Sequence, residues 1–129
     1  MKSYYQRKNS GFLLPKPIYK KTRNTIACYD FYKDIVRGVQ LQEQEAVPQN
    51  PERAAINKAT AEYYVDAIDT ALREYVREDL QEGIFEHVAR GKPYIELEES
   101  LFYSASTLKL WTQIFVYGVA TILGDNFRE

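Results

Sequence analysis

The sequence predicts an all-α protein: a helical bundle with a C-terminal helix-turn-helix and an extended basic N-terminal arm. Three observations predict it. Apolar residues recur at helical spacing from Tyr29 onward, and no strand-turn-strand pattern follows residue 28. Start and stop signals bracket two successive helices at about 94–123. The chain has 17 bases and 18 acids, yet residues 1–24 hold seven bases and no acid, which leaves ten bases against 18 acids in the rest. Such asymmetry describes a basic arm on an acidic body. The expected division is residues 1–28 as arm and residues 29–129 as helical domain.

In the arm, Tyr4, Tyr5, Phe12, Leu13, Leu14, Ile18 and Tyr19 alternate with bases around Pro15 and Pro17. No helical period is visible, and Asn9-Ser10-Gly11 suggests a turn, so the expectation is an extended segment with a short hairpin around Ser10. Its role has two readings: it grips phosphates, or it packs its aromatics on the body and leaves its bases in water. From Tyr29 to about Glu45 a helix is expected, with Tyr32, Ile35, Val36 and Val39 on one face. The polar stretch from Glu43 to Pro51, with two prolines, reads as a linker.

Asn50-Pro51-Glu52 gives an Asn cap, a proline at the first helical position and an acid in the first turn. The helix that follows should run about 25 residues, roughly 37 Å. Its expected stripe is Ile56, Ala59, Tyr63, Tyr64, Ala67, Ile68, Ala71, Leu72 and Tyr75, with Asp69 and Arg73 spaced for an ion pair. Asp79 to Arg90 should form another helix, ended by Gly91, with Leu80, Ile84, Phe85 and Val88 inward. Leu97 and Leu101 stand four apart on a short helix. Phe102 and Tyr103 form a turn, Ser104 caps, and a long helix runs from Ala105 to Leu123, closed by Gly124. Apolar residues surround most of that helix, so it belongs in a core or an interface with only its start exposed.

Composition narrows the chemistry. A lone Cys28, read as a small packed residue, rules out an internal disulfide and suits a reducing cytoplasm. The single His87 reads as a surface or packing residue. One histidine and one cysteine cannot build a zinc site, and there is no phosphate loop or dinucleotide fingerprint. No cofactor, metal or catalytic group is expected, so the protein is not read as an enzyme. No apolar span is long enough for a membrane.

Two helices joined by a tight turn, the second opened by a serine cap, is the layout of a DNA-binding helix-turn-helix. Glu96, Leu97, Leu101, Tyr103, Ser104, Thr107 and Leu108 resemble the helix-turn-helix of sigma-factor region four. With the run Asn57-Lys58-Ala59-Thr60-Ala61-Glu62-Tyr63-Tyr64 and Ala67 to Leu72, the stretch from about Asn50 to Gly124 is similar to the ArpU/RinA group of phage late-transcription regulators. That resemblance implies a small phage-type regulator in the cytoplasm of a bacterial host, bound to double-stranded promoter or operator DNA and able to recruit RNA polymerase. It implies Leu97, Leu101, Tyr103, Leu108 and Trp111 in the core, and Ala105, Ser106, Lys109, Leu110 and Gln113 toward the groove. Phe102 stands where the family's turn usually has glycine.

The expected base contacts are Ser106, Lys109 and Gln113, early in the second helix. The expected phosphate contacts are Arg7, Lys8, Lys20, Lys21 and Arg23. Residues 78–129 carry four bases against nine acids, so DNA binding would need the arm's charge, a dimer partner or polymerase. A homodimer is expected from the apolar surface of the two long helices. The competing reading is an all-α adaptor whose degenerate helix-turn-helix binds another protein and not DNA.

Overall fold

The computed structural model describes residues 5–38 and 51–124, with 51–57 by backbone only. In chain order the helices are α1 (Lys16–Ala27), α2 (Tyr29–Val36), α3 (Pro51–Tyr75), α4 (Gln81–Arg90), α5 (Tyr94–Leu101) and α6 (Ala105–Leu123). A 3₁₀ turn, Glu78–Leu80, precedes α4. There is no strand among the described residues, as the sequence predicts. Val39, the linker up to Asn50 and the side chain of Ile56 lie outside the described residues.

Helix α6 is the axis. It packs on α1, α3, α4 and α5, which explains why its apolar residues occupy nearly every side. Leu108, Phe115, Val116, Val119 and Ala120 are all fully buried. They meet Tyr19 and Ile26 of α1, Ile68 and Ala71 of α3, Ile84 and Val88 of α4, and Leu97 of α5 in one core. The expectation that only the start of α6 is exposed holds: Ser106 is open, and everything from Thr112 to Val116 is buried. Gly118 lets α3 come close, since a Cβ there would stand 2.6 Å from the Tyr75 ring.

The arm is corrected. Of its described residues, 5–15 are non-helical, with a turn at 8–11, but residues 16–27 form α1, with Tyr19, Thr22 and Ile26 buried. The two prolines do not interrupt it, because they lie at the cap and in the first turn, where a missing N–H costs nothing. Residues 5–28 are therefore not an arm separate from the body: Leu14, Tyr19 and Ile26 lie in its core.

On α3 the buried stripe is Ala61, Val65, Ala67, Ile68 and Ala71, whereas Ala59 and Tyr63 are exposed. Asp69 and Arg73 do not pair. Asp69 accepts a hydrogen bond from Tyr29 Oη at 2.8 Å, and Arg73 reaches Thr70. Cys28 is exposed, between α1 and α2, and not packed. Leu101, Tyr103 and Trp111 are half-buried at the core's edge, with Leu97 and Leu108 inside it. Between α2 and α4, Arg90 grips Asp30 with two hydrogen bonds of 2.8 and 2.9 Å and also holds Glu86. That fork holds the Asp30 carboxyl below its usual range.

Candidate nucleic-acid interface

Helix α5 ends at Leu101, the chain turns through Phe102 and Tyr103, and α6 begins behind Ser104. The cap is as predicted: Ser104 Oγ accepts from the Thr107 backbone N–H at 3.2 Å. Phe102 adopts φ 61°, ψ 34°, a left-handed backbone that glycine normally supplies at a helix end. It is the one non-glycine residue with positive φ among those described. Tyr103 pins the turn by donating to Asp79 at 3.1 Å. Leu97 and Leu101 close over Gly83, where even an added Cβ would press on them at 3.2 and 2.9 Å.

The N-terminal residues sit against this unit, and a buried glutamine holds them there. Gln113, fully buried on α6, accepts from the Arg7 N–H at 2.7 Å. Its amide nitrogen lies 3.0 Å from Arg7 O, 2.9 Å from Ser10 Oγ and 3.2 Å from Phe12 O. Gln6 closes the same loop by pairing with both backbone groups of Leu14, at 2.9 and 3.1 Å. Phe12 packs edge-on against Tyr117, and Leu14 enters the core. The predicted turn at Asn9-Ser10-Gly11 exists, but a side chain organises it, not a strand ladder.

Gln113 is therefore corrected: it serves as the hub of the loop and cannot reach a base. Its polarity within an apolar helix was the signal, since a buried amide must find several partners. Ser106 and Lys109 remain at the exposed start of α6. Arg7 donates to Ser106 Oγ at 3.1 Å, and Lys109 Nζ lies 5.7 Å from the centre of the Tyr5 ring. The loop thus gathers Arg7, Ser106 and Lys109 at one helix end, a juxtaposition that spacing alone could not show. Tyr5, one of the arm's aromatics, is not among the expected contacts. Lys8 is exposed on the loop, and Lys20 and Lys21 are exposed on α1. Arg23 turns inward instead, bonding the buried hydroxyls of Tyr19 and Tyr94, whose burial raises their pKa values.

No protein-family model, curated protein or solved structure matches this chain.

His87 stacks on Tyr94 at 3.8 Å, and its Nδ1 lies 2.6 Å from Lys92 O, a packing role as expected. No group of three or more His, Cys, Asp or Glu among the described residues could hold a metal. None of the described helices is long and apolar enough to cross a membrane.

Proposed function

We propose that this protein is a phage-type transcriptional regulator that binds double-stranded promoter or operator DNA through α5, the Phe102–Ser104 turn and α6, with RNA polymerase as a second partner. The observation that supports this most is the concentration of basic side chains at the open end of the second helix. Arg7 and Lys109 flank Ser106 there, and the same helix end carries the partial positive charge of its free N–H groups. Lys8 on the loop adds to that charge, and Lys20 and Lys21 stand exposed on α1. In this reading Lys109 and Ser106 read bases, and Arg7 joins Lys8, Lys20 and Lys21 on phosphates. Arg23 and Gln113 act inside the protein.

The test is binding of the full chain to a pool of random duplexes, followed by selection of the preferred site. Binding should fall steeply with salt, because it releases counterions. Arg7→Ala should weaken all duplexes similarly and flatten the salt slope by about one unit. Lys109→Ala should lose discrimination worth about 1–3 kcal/mol between the selected and random DNA. Absence of binding by the parent even at about 50 mM salt would overturn the proposal.

A second reading has its own support. Ile95 and Phe102 are 63 and 89% exposed, seven residues apart, beside Glu96, Glu98 and Glu99. An acidic apolar face on the first helix suits a protein better than phosphates. Failure to bind DNA would leave the adaptor function in its place.

A further inference from the structure

Ser106 and Gln113 stand seven residues apart on α6, two turns along one face and roughly 10 Å along its axis. Arg7 is fastened at both ends of that span. At one end the Gln113 side-chain oxygen accepts from the Arg7 N–H at 2.7 Å, and the amide nitrogen lies 3.0 Å from Arg7 O. At the other the Arg7 guanidinium donates to Ser106 Oγ at 3.1 Å. Ser10 braces the grip: its Oγ lies 2.9 Å from the Gln113 nitrogen and accepts from the Phe12 N–H at 2.9 Å. Gln113 is fully buried. A buried amide satisfied by one loop ties that loop to the helix, since any departure leaves polar groups unpaired.

We propose that Gln113 is a positioning residue for DNA binding: it fixes the Arg7 backbone so that the guanidinium stands at the start of α6, ready for a phosphate. The role rests on the DNA-binding reading of α6 and adds a condition to it. An arginine on a loose chain loses backbone and side-chain freedom when it meets a phosphate. One pinned by Gln113 and Ser106 has lost that freedom on folding, so more of its charge-assisted bonding appears as affinity. Gln113 itself touches no DNA. Its distance from Ser106 sets how far along the helix Arg7 reaches.

Duplex binding by the full chain across a salt series tests this as a double-mutant cycle. Arg7→Ala should flatten the parent's salt slope by about one unit. Gln113→Met, close in volume but without the amide, should cause the same loss, and Arg7→Ala should then add almost none. Ser10→Ala changes the loop and not the core. It should act in the same direction, and it carries the cycle alone if the methionine chain loses its helical circular-dichroism signal. Gly118→Ala, a core change on the Tyr75 side of α6, should leave the Arg7 effect at its parental size; a merely structural Gln113 predicts that Gly118→Ala and Gln113→Met behave alike. A readout without DNA is amide hydrogen exchange: the Arg7 N–H should exchange slowly in the parent and fast after Gln113→Met. An Arg7→Ala effect of equal size in the parent and the Gln113→Met chain overturns the proposal. So does a fast-exchanging Arg7 amide in a parent that binds DNA. A parent that binds no duplex at low salt removes the DNA reading, and the positioning role with it, even where the Arg7 amide is protected.

Discussion

Phe102 holds a backbone that L-residues avoid, and its ring is 89% exposed. The left-handed conformation costs roughly 1–2 kcal/mol for a residue with a Cβ, and asparagine tolerates it better. Its ring gains little from burial in return. Phe102→Asn should therefore stabilise the fold by about 0.5–1 kcal/mol in urea unfolding; a loss of stability would show that the ring packs more than its exposure implies. Tyr29 makes a second residue-scale case. Burial and the hydrogen bond to Asp69 push its hydroxyl up to about 12. The unfolded chain loses that proton near 10, so the folded state favours the neutral form, fully below pH 10 and decreasingly up to about 12. Stability should fall across that window, and Tyr29→Phe should fall less steeply. Equal slopes would refute the assignment. Tyr32, pushed to about 12 mainly by burial, adds to the same alkaline loss.

At the scale of elements, close approach outweighs propensity. Gly118 lies inside α6, where alanine would gain about 1 kcal/mol of helix preference. Its added methyl would meet the Tyr75 ring at 2.6 Å, and that half-buried ring can yield only by giving up its packing on the core. Gly118→Ala should destabilise by about 1–3 kcal/mol in thermal or urea unfolding. The same change at Gly83 meets only the ends of Leu97 and Leu101, at 3.2 and 2.9 Å, which can rotate. Its effect should be smaller, within about 1 kcal/mol of neutral. If both substitutions stabilise, α3 and α6 lie farther apart than described.

For the whole molecule, the N-terminal loop belongs to the fold. Removing residues 1–14 would take Phe12 from Tyr117 and Leu14 from the core, and would strip Gln113 of its four loop partners. The expected loss is roughly 3 kcal/mol or more, from apolar area and an unsatisfied amide together. A melt of the truncated chain measures it. A detachable arm would leave the melting temperature unchanged and alter only ligand affinity. DNA experiments on this protein should therefore use point substitutions at Arg7 or Lys8, not truncation.

The helices after residue 50 were legible in the sequence because local signals fix them. Pro51 opens α3, Gly91 and Gly124 take the positive φ at helix ends, and Ser104 caps α6. These depend on backbone chemistry within a few residues, and so does the turn between α5 and α6. The burial of the uniformly apolar α6 followed from its composition. Tertiary structure decided what depends on partners distant in the chain. Helix α1 shows only three buried positions and starts among prolines, so its period became visible only once α4 and α6 covered it. Gln113 looked like a base reader because helical position alone makes it polar and near the start. A loop more than a hundred residues earlier claims all of its hydrogen bonds. Ser106 stayed exposed and Lys109 half-exposed at the helix start, but Arg7 and Tyr5 joined them through chain closure, and no spacing rule encodes that contact.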